Sequence, residues 1–247
     1  MNHPSPPMQA RPAGLFEATI QKLFTRSATV LDIADIGPSF RIITLGGDAL
    51  RGAAWTPGDK IQLQLGGWVQ RTYTPLDWDA VIGRTRILVV LHADGPGTQW
   101  ARSVRKGDDC IVFGPRKSIQ MAPLRSPVIV FGDETSLGLA AAFAAHGTAP
   151  EVHLLLEVSD VAAAMPVIAH LQLDGTHVSA RRADDAHFTG LETALTNLLM
   201  VDADAGIVLT GRAGAIQHMT RFLRQTEVGT GRRHSKAYWA AGKKGLD

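Results

Sequence analysis

The sequence predicts a small antiparallel β-barrel followed by an α/β domain built on a parallel sheet. Three observations carry this. The first half holds several short runs of β-branched and apolar residues, punctuated by Gly, Pro and Asp. The second half alternates strand-like and helix-like segments with short connections, as a parallel sheet covered by helices on both faces requires. Between the halves, Pro123 and Pro127 bracket a linker in "QMAPLRSP".

In the first half the expected strands are residues 18–36, 39–47, 60–66, 86–92 and 110–114. In "KIQLQL", Ile61, Leu63 and Leu65 alternate with Gln62 and Gln64, a period of two that buries one face of a strand. "QRTYTPLDWD", residues 70–79, reads as a strand that Pro75 ends. A helix is expected at "PGTQWARSVR", where Pro96 suits a first turn. Short strands at this spacing suggest a small barrel. After Pro127 come a strand at 128–132, a helix at 135–146, strands at 151–158 and 176–180, a helix at 190–199, a strand at 206–210 and a helix at 214–225. The expected division is a Pro-containing tail over 1–14, a barrel domain over 15–123 and an α/β domain over 124–247.

Composition narrows the function classes. The chain has 247 residues, room for two ordinary domains, and its 45% apolar content can fill sizeable cores. No apolar run approaches the ~20 residues that cross a bilayer, and "MNHPSPPMQARPAG" lacks the apolar stretch of a secretory signal. The single cysteine, Cys110, allows no intrachain disulfide and no Cys-rich zinc or iron–sulfur site. It suits a reducing compartment, so a cytoplasmic protein with no membrane attachment is expected. The nine His residues show no H-x-x-x-H or H-E-x-x-H spacing, so no metal held by protein ligands is expected. A net charge of +2 is too small to argue for nucleic acid. From Arg212 to Asp247, eight Arg or Lys face only Glu227 and Asp247. That segment suits an anionic partner and a solvated helix face equally.

Two stretches of the barrel half point to a ligand. In "RTYT", Arg71 and Tyr73 project to one face of a strand, Thr72 and Thr74 to the other. Alone, this fits an exposed edge strand better than a site. "LHADGPGTQWA", residues 91–101, runs from a strand through Gly95, Pro96 and Gly97 into a helix whose free N–H groups can cradle a phosphate. Together they offer an aromatic face for a flat ring, a cation for a phosphate and a helix start for a pyrophosphate, the needs of a flavin dinucleotide. In the second half, "VIVFGDETSLGLA" lacks G-x-G-x-x-G and Walker A patterns. Asp133 and Glu134 there suit a helix dipole and would repel a phosphate, so that turn suits an uncharged group such as a nicotinamide.

The set "RTYT" (71–74), "LHADGPGTQWA" (91–101), "GDDCIVFGPRKS" (107–118), "GDETSLGLAA" (132–141), "LLLEVSD" (154–160) and "KAYWAAGKK" (236–244) resembles the siderophore-interacting proteins. These are flavin-dependent ferric-siderophore reductases distantly related to the ferredoxin reductases. The resemblance covers nearly the whole chain after residue 15. It implies a six-stranded antiparallel FAD-binding barrel followed by a nicotinamide-dinucleotide domain. It implies that Arg71 holds the FAD pyrophosphate, Tyr73 stacks on the isoalloxazine and Thr74 hydrogen-bonds near its N5. His92, Gly95, Gly97 and Thr98 would line the rest of the FAD. Asp133, Glu134 and Thr135 would face the nicotinamide-side cleft, and Lys60, Lys243 and Lys244 would form a basic rim for an anionic ferric chelate.

The implied reaction carries electrons from NADPH or NADH through FAD to the Fe(III) of a ferric siderophore, releasing iron as Fe(II). The cofactor supplies the chemistry, so no catalytic side chain is implied. Ferredoxin is a further donor in the family. Glu157 or Asp160 would favour NADH through a ribose hydroxyl, and Arg181, Arg182 or Arg212 would favour NADPH through a 2′-phosphate, the direction in which the sequence leans. A monomer is the default expectation. Two other functions fit the same residues: a flavin reductase component passing electrons to a protein partner, and a non-catalytic flavin- or chelate-binding module. Several positions depart from the family pattern. Leu76 stands where Arg-x-Tyr-Thr-x-Arg has its last arginine, Arg212 where a Glu often follows Gly, and Lys117 where Gly-Pro-Arg is usually followed by Gly. The Cys-Gly pair of the mainstream ferredoxin reductases is absent, which points to the siderophore branch.

Overall fold

The computed structural model describes residues 25–66, 69–91, 95–120, 124, 127–145, 151–227 and 232–242. The first sheet contains β1 (Thr25–Ile36), β2 (Phe40–Gly46), β3 (Lys60–Gln64), β4 (Gln70–Tyr73), β5 (Pro75–Asp79), β6 (Arg84–Val90) and β7 (Asp109–Arg116), with helix α1 (Pro96–Ser103) between β6 and β7. Its strands run antiparallel in the order β4-β3-β7-β1-β2-β6-β5. The two edge strands, β4 and β5, are consecutive in the chain and separated only by Thr74. The backbone itself therefore joins the edges that the hydrogen-bond ladder leaves apart. Counted as one bent strand, β4 and β5 make this the expected six-stranded barrel.

Pro75 does not end the strand, as its sequence position suggests; it begins β5. A proline donates no ladder hydrogen bond, so it is tolerated at the first position of an edge strand, and the register slips between Pro75 and Asp77. The interior is filled by Val30, Ile43, Leu45, Ile61, Leu63, Ile87, Val89 and Val112. Ile61 and Leu63 are buried as their alternation predicts. Gln62 is buried too, because its side-chain oxygen accepts from the Arg116 guanidinium across the β3–β7 ladder.

The second sheet is parallel throughout, in the order β10-β9-β8-β11-β12. It runs β8 (Val128–Gly132), a 3-10 turn (Glu134–Ser136), α2 (Leu137–Ala144), β9 (Val152–Val158), α3 (Val161–His170), β10 (His177–Ala180), α4 (Phe188–Val201), β11 (Gly206–Arg212), α5 (Ala213–Gln225) and β12 (Arg233–Trp239). Successive strand residues bury opposite faces. Val128, Val130, Leu154, Leu156 and Val208 pack with α2 and α3, while Ile129, Phe131, Leu155, Ile207 and Leu209 pack with α4 and α5. Two elements escaped the sequence pattern. Pro166 interrupts the helical reading of α3, yet Asp160 caps its start by accepting from Ala163 N–H, and Ala164, Val167 and Ile168 bury one face. β12, "RHSKAYW", reads too polar for a strand because it is the outer strand of its sheet.

The two sheets share one core. Phe40, Ile42, Leu76, Leu88 and Ile119 of the barrel join the cluster around α2. Helix α2 lies close on β5: a Cβ at Gly138 would stand 3.3 Å from the Thr74 carbonyl oxygen and 3.9 Å from Leu76 Cδ2. Leu76 is 4% exposed, so this departure from the family's arginine serves the seam. An arginine here would bury an unpaired charge. The proposed division at 123–124 borders residues outside the description. Leu76→Ala should lower unfolding free energy by about 2–4 kcal/mol. Chemical denaturation checks this, and an unchanged midpoint and slope would remove Leu76 from the seam.

Candidate functional site

Strand β4 and the start of α1 come together. A Cβ on Gly97 would lie 3.1 Å from the Tyr73 hydroxyl and 3.4 Å from Arg71 Cγ. The helix start thus lies close against the strand, and Arg71 and Tyr73 do share the face that borders the helix. Gly95 precedes α1 with an extended backbone and no side-chain cap, Pro96 opens the helix, and no acid lies in its first turn. The space beside Gly95 is open. The first N–H groups of α1 are therefore available to an anion, with no carboxylate of the described residues competing for them in the first turn. Thr98 is buried in that first turn. Arg71 Nη1 donates to the Gln70 carbonyl at 2.7 Å, which tethers the guanidinium at the cradle.

Tyr73 packs against the barrel core, its ring centroid 6.5 Å from that of Trp100. Burial pushes its phenol well above the usual value, with the Arg71 charge opposing, so it stays a neutral aromatic face. Lys60 opens β3 opposite Arg116 and is half-buried. His92, Lys243 and Lys244 lie outside the described residues. A strand bearing a cation and an aromatic ring, set against an uncapped helix start with a glycine at closest approach, fits the pyrophosphate and ring of a flavin dinucleotide.

The carboxyl edge of the parallel sheet is where an α/β fold receives a nucleotide. Asp133, after β8, is fully buried. Its Oδ1 accepts from Thr135 N–H at 2.9 Å and the Thr135 hydroxyl at 2.5 Å, and its Oδ2 accepts from Trp239 Nε1 at 2.7 Å. Gly211 leaves room for this carboxylate: its φ is +91° and a Cβ there would lie 2.6 Å from Asp133 Cγ. Burial raises the Asp133 carboxyl above its ordinary range, against the Thr135 and Trp239 donors that favour the charged form. Glu134 Oε1 accepts from Ser159 N–H and from the Ser159 hydroxyl at 2.6 Å, and its Oε2 pairs with Arg181 at 3.2 Å. Both acids are thus engaged by protein partners, while Thr135 is half-buried beside them.

Glu157, on β9, organises the rest of this edge. It is fully buried, and its carboxylate receives Arg212 Nε at 2.7 Å and Arg212 Nη2 at 2.9 Å as a fork. His187 lies 2.8 Å from Oε2 and Arg181 Nε lies 3.4 Å from Oε1. The His187 Nδ1 accepts from Arg182 N–H, so Nε2 is the donor to Glu157. Burial alone would raise this carboxyl, but the Arg212 and His187 hydrogen bonds and both arginine charges hold it below its ordinary value. Arg212, where the family often has an acid, is the partner that makes a buried Glu157 tolerable. Glu157 and Asp160 have internal partners, whereas the Arg182 side chain is 63% exposed and pairs with Asp184 at 3.3 Å. Sequence order gives no sign of this hub, because its members come from four separate strand ends and a helix start.

Residues 67–119 match the sequence model of the siderophore-interacting FAD-binding domain, and residues 126–242 match that of the siderophore-interacting protein. The chain belongs to the siderophore-interacting protein family. FAD is the cofactor its first domain is named for, and the chain is a flavin-dependent oxidoreductase. The NADPH-dependent ferric-chelate reductase of Escherichia coli strain K12 is 23% identical over 250 residues, covering 87% of this chain and 93% of that protein. The siderophore-interacting protein SipS from Aeromonas hydrophila superposes with a TM-score of 0.71 at 24% identity, covering 89% of this chain and 93% of that one. A siderophore utilization protein from T. fusca gives 0.69 at 22% identity, covering 90% and 95%. The ferredoxin reductase of carbazole 1,9a-dioxygenase shares the fold, with a TM-score of 0.68 at 18% identity over 86% of this chain and 68% of that one.

Because the folded state depresses the Glu157 carboxyl, its contribution to stability is complete above about pH 4.5 and is lost as pH falls through the depressed value. Glu157→Gln should cost about 3 kcal/mol at neutral pH, since it leaves two arginines without their buried partner. The gap to the unaltered protein should narrow on acidification, and denaturation at several pH values measures it. A gap that widens toward low pH would contradict this role.

Proposed function

We propose that this chain is an NAD(P)H-dependent ferric-siderophore reductase. The observation that carries the proposal is the cradle in which Arg71 and Tyr73 of β4 meet Gly97 at the uncapped start of α1. Bound FAD supplies the redox chemistry, taking two electrons from the nicotinamide and releasing them singly to Fe(III). Arg71 and the α1 N–H groups hold the pyrophosphate, Tyr73 provides the stacking face, and Thr74 offers its hydroxyl at the ring edge. The carboxyl edge of the second sheet receives the nicotinamide dinucleotide, with Asp133 and Glu134 fixing the turn and Thr135 facing the cleft. Lys60, with Lys243 and Lys244, attracts the anionic chelate, which is substrate rather than a resident metal centre.

Arg71→Ala and Tyr73→Ala should each yield purified protein with little bound FAD, read from the visible absorption spectrum. Full yellow occupancy in both would overturn the cradle. Anaerobic mixing with NADPH should bleach the flavin of the unaltered protein, and a free ferric catecholate should restore its colour. Bleaching without reoxidation by any free chelate would favour a component that serves a protein partner. No bleaching by either nucleotide would favour a binding module.

The exposed cation at the nucleotide edge, Arg182, and the internal partners of Glu157 and Asp160 support NADPH over NADH. Arg182→Ala should raise the KM for NADPH about three- to tenfold, the worth of one exposed charge-assisted contact, and leave the KM for NADH unchanged. Equal changes for both nucleotides would contradict the assignment.

A further inference from the structure

The loop between β10 and α4, residues 181–187, closes on its own backbone. Arg181 N–H donates to the Val158 carbonyl at 2.7 Å, so the parallel ladder continues one residue past β10. The Arg182 backbone is then held on both sides. Its N–H donates to His187 Nδ1 at 3.2 Å, and its carbonyl oxygen accepts from Asp185 N–H at 3.1 Å. Asp185, at φ +58°, turns the chain back, and Phe188 N–H donates to the Asp185 carbonyl at 3.0 Å as α4 begins. The Arg182 side chain leaves this anchored backbone toward solvent, beside the exposed Asp184 at 3.3 Å. A solvated pair of this kind contributes little, so an incoming anion can displace Asp184 from Arg182.

His187 stands immediately before α4, yet its side chain makes no cap bond to that helix. The buried ring turns the other way, and its Nε2 lies 2.8 Å from Glu157 Oε2. Glu157 is fixed in turn by the Arg212 fork. The Phe188 ring packs against the imidazole, 4.3 Å from centroid to centroid, and is itself stacked on His218 at 3.9 Å. The two ring nitrogens have opposite duties. Nε2 carries the proton and donates to a carboxylate anchored on the sheet. Nδ1 carries a lone pair and accepts the Arg182 N–H. The buried carboxylate thus selects the tautomer, and that tautomer supplies the acceptor the loop backbone uses. Position passes from the ion network to Arg182 through one ring.

We infer that His187 is a positioning residue for nucleotide selection, transmitting the fixed position of Glu157 to the Arg182 backbone and so setting where the Arg182 guanidinium meets the 2′-phosphate of NADPH. The inference rests on the proposed contact between Arg182 and that phosphate. Without an acceptor at the place of Nδ1, the Arg182 N–H loses its partner and the side chain that follows it is held less well. NADPH then binds more weakly. NADH has no 2′-phosphate and does not register the change.

Asparagine and glutamine separate the two nitrogens, because an Asn amide reaches the place of Nδ1 and a Gln amide the place of Nε2. His187→Gln keeps a donor for Glu157 and loses the acceptor for Arg182, and His187→Asn does the reverse. Flavin content, and kcat and KM for NADPH and for NADH with ferricyanide as electron acceptor, are measured on the FAD-loaded full chain. His187→Gln should raise the KM for NADPH about three- to tenfold, the range for one hydrogen bond, with kcat, flavin content and the KM for NADH unchanged. His187→Asn should keep the KM for NADPH within about twofold of the unaltered protein, whatever it loses in stability. In an Arg182→Ala background, His187→Gln should add no further loss, since both act on one contact. An unchanged KM for NADPH in His187→Gln, an equal rise for both nucleotides, an equal loss in His187→Asn, or losses that multiply in the double variant would each overturn the inference. An Arg182→Ala protein that treats the two nucleotides as the unaltered protein does would overturn the nucleotide reading beneath it, and that result is seen without altering His187.

Discussion

The burial of β5 against α2 fixes where the two sheets meet, and the arrangement of the site depends on it. Leu76 enters the core around α2, and Gly138 lets the helix backbone come close to the Thr74 carbonyl. Because β4 and β5 are one continuous run of chain, docking β5 also docks β4, the strand that carries Arg71 and Tyr73. Strand β4 is thus held by the second domain as well as by its own sheet. Interiors pack too densely for this contact to slide, so the seam between the sheets has a set geometry.

The second constraint is electrostatic. Five charged or titratable side chains, Glu134, Glu157, Arg181, Arg212 and His187, meet at the carboxyl edge of the parallel sheet. A buried carboxylate is costly unless paired, and the Arg212 fork with the His187 donor meets that cost at Glu157. These acids are therefore neutralised within the protein, while Arg182 and its partner Asp184 both face solvent at the same edge. Arg212 departs from the family's usual acid, and the network shows why a cation there is compatible with the fold: its counter-charge is Glu157, 55 positions earlier in the chain.

Much of the architecture could be read from the order of residues. Period-two alternation placed Ile61 and Leu63 inside β3, and the continuous apolar runs of β8 and β9 marked strands covered on both faces. Pro96 and the glycines around it marked the start of α1. The misreadings have local causes. Pro75 signals a break in isolation but begins an edge strand here, since its missing N–H has no ladder partner to lose. Pro166 hid α3, and the polar residues of β12 hid a strand that stays half-exposed at the sheet edge. Gln62 looked solvent-facing because its partner, Arg116, is distant in sequence.

The sequence by itself determined the two-domain order, the strand-and-helix alternation and the family, because each rests on local periodicity or on short motifs in fixed order. It also marked the two halves of the cradle, "RTYT" and the Gly95–Gly97 helix start, as worth joining. Only the tertiary structure decided that they meet, through the approach of Gly97 to Arg71 and Tyr73. It alone explained Leu76 and Arg212. The reason is common to both. Which charge is neutralised and which side chain is buried depend on contacts between residues far apart in the chain, and those are set by how two sheets pack.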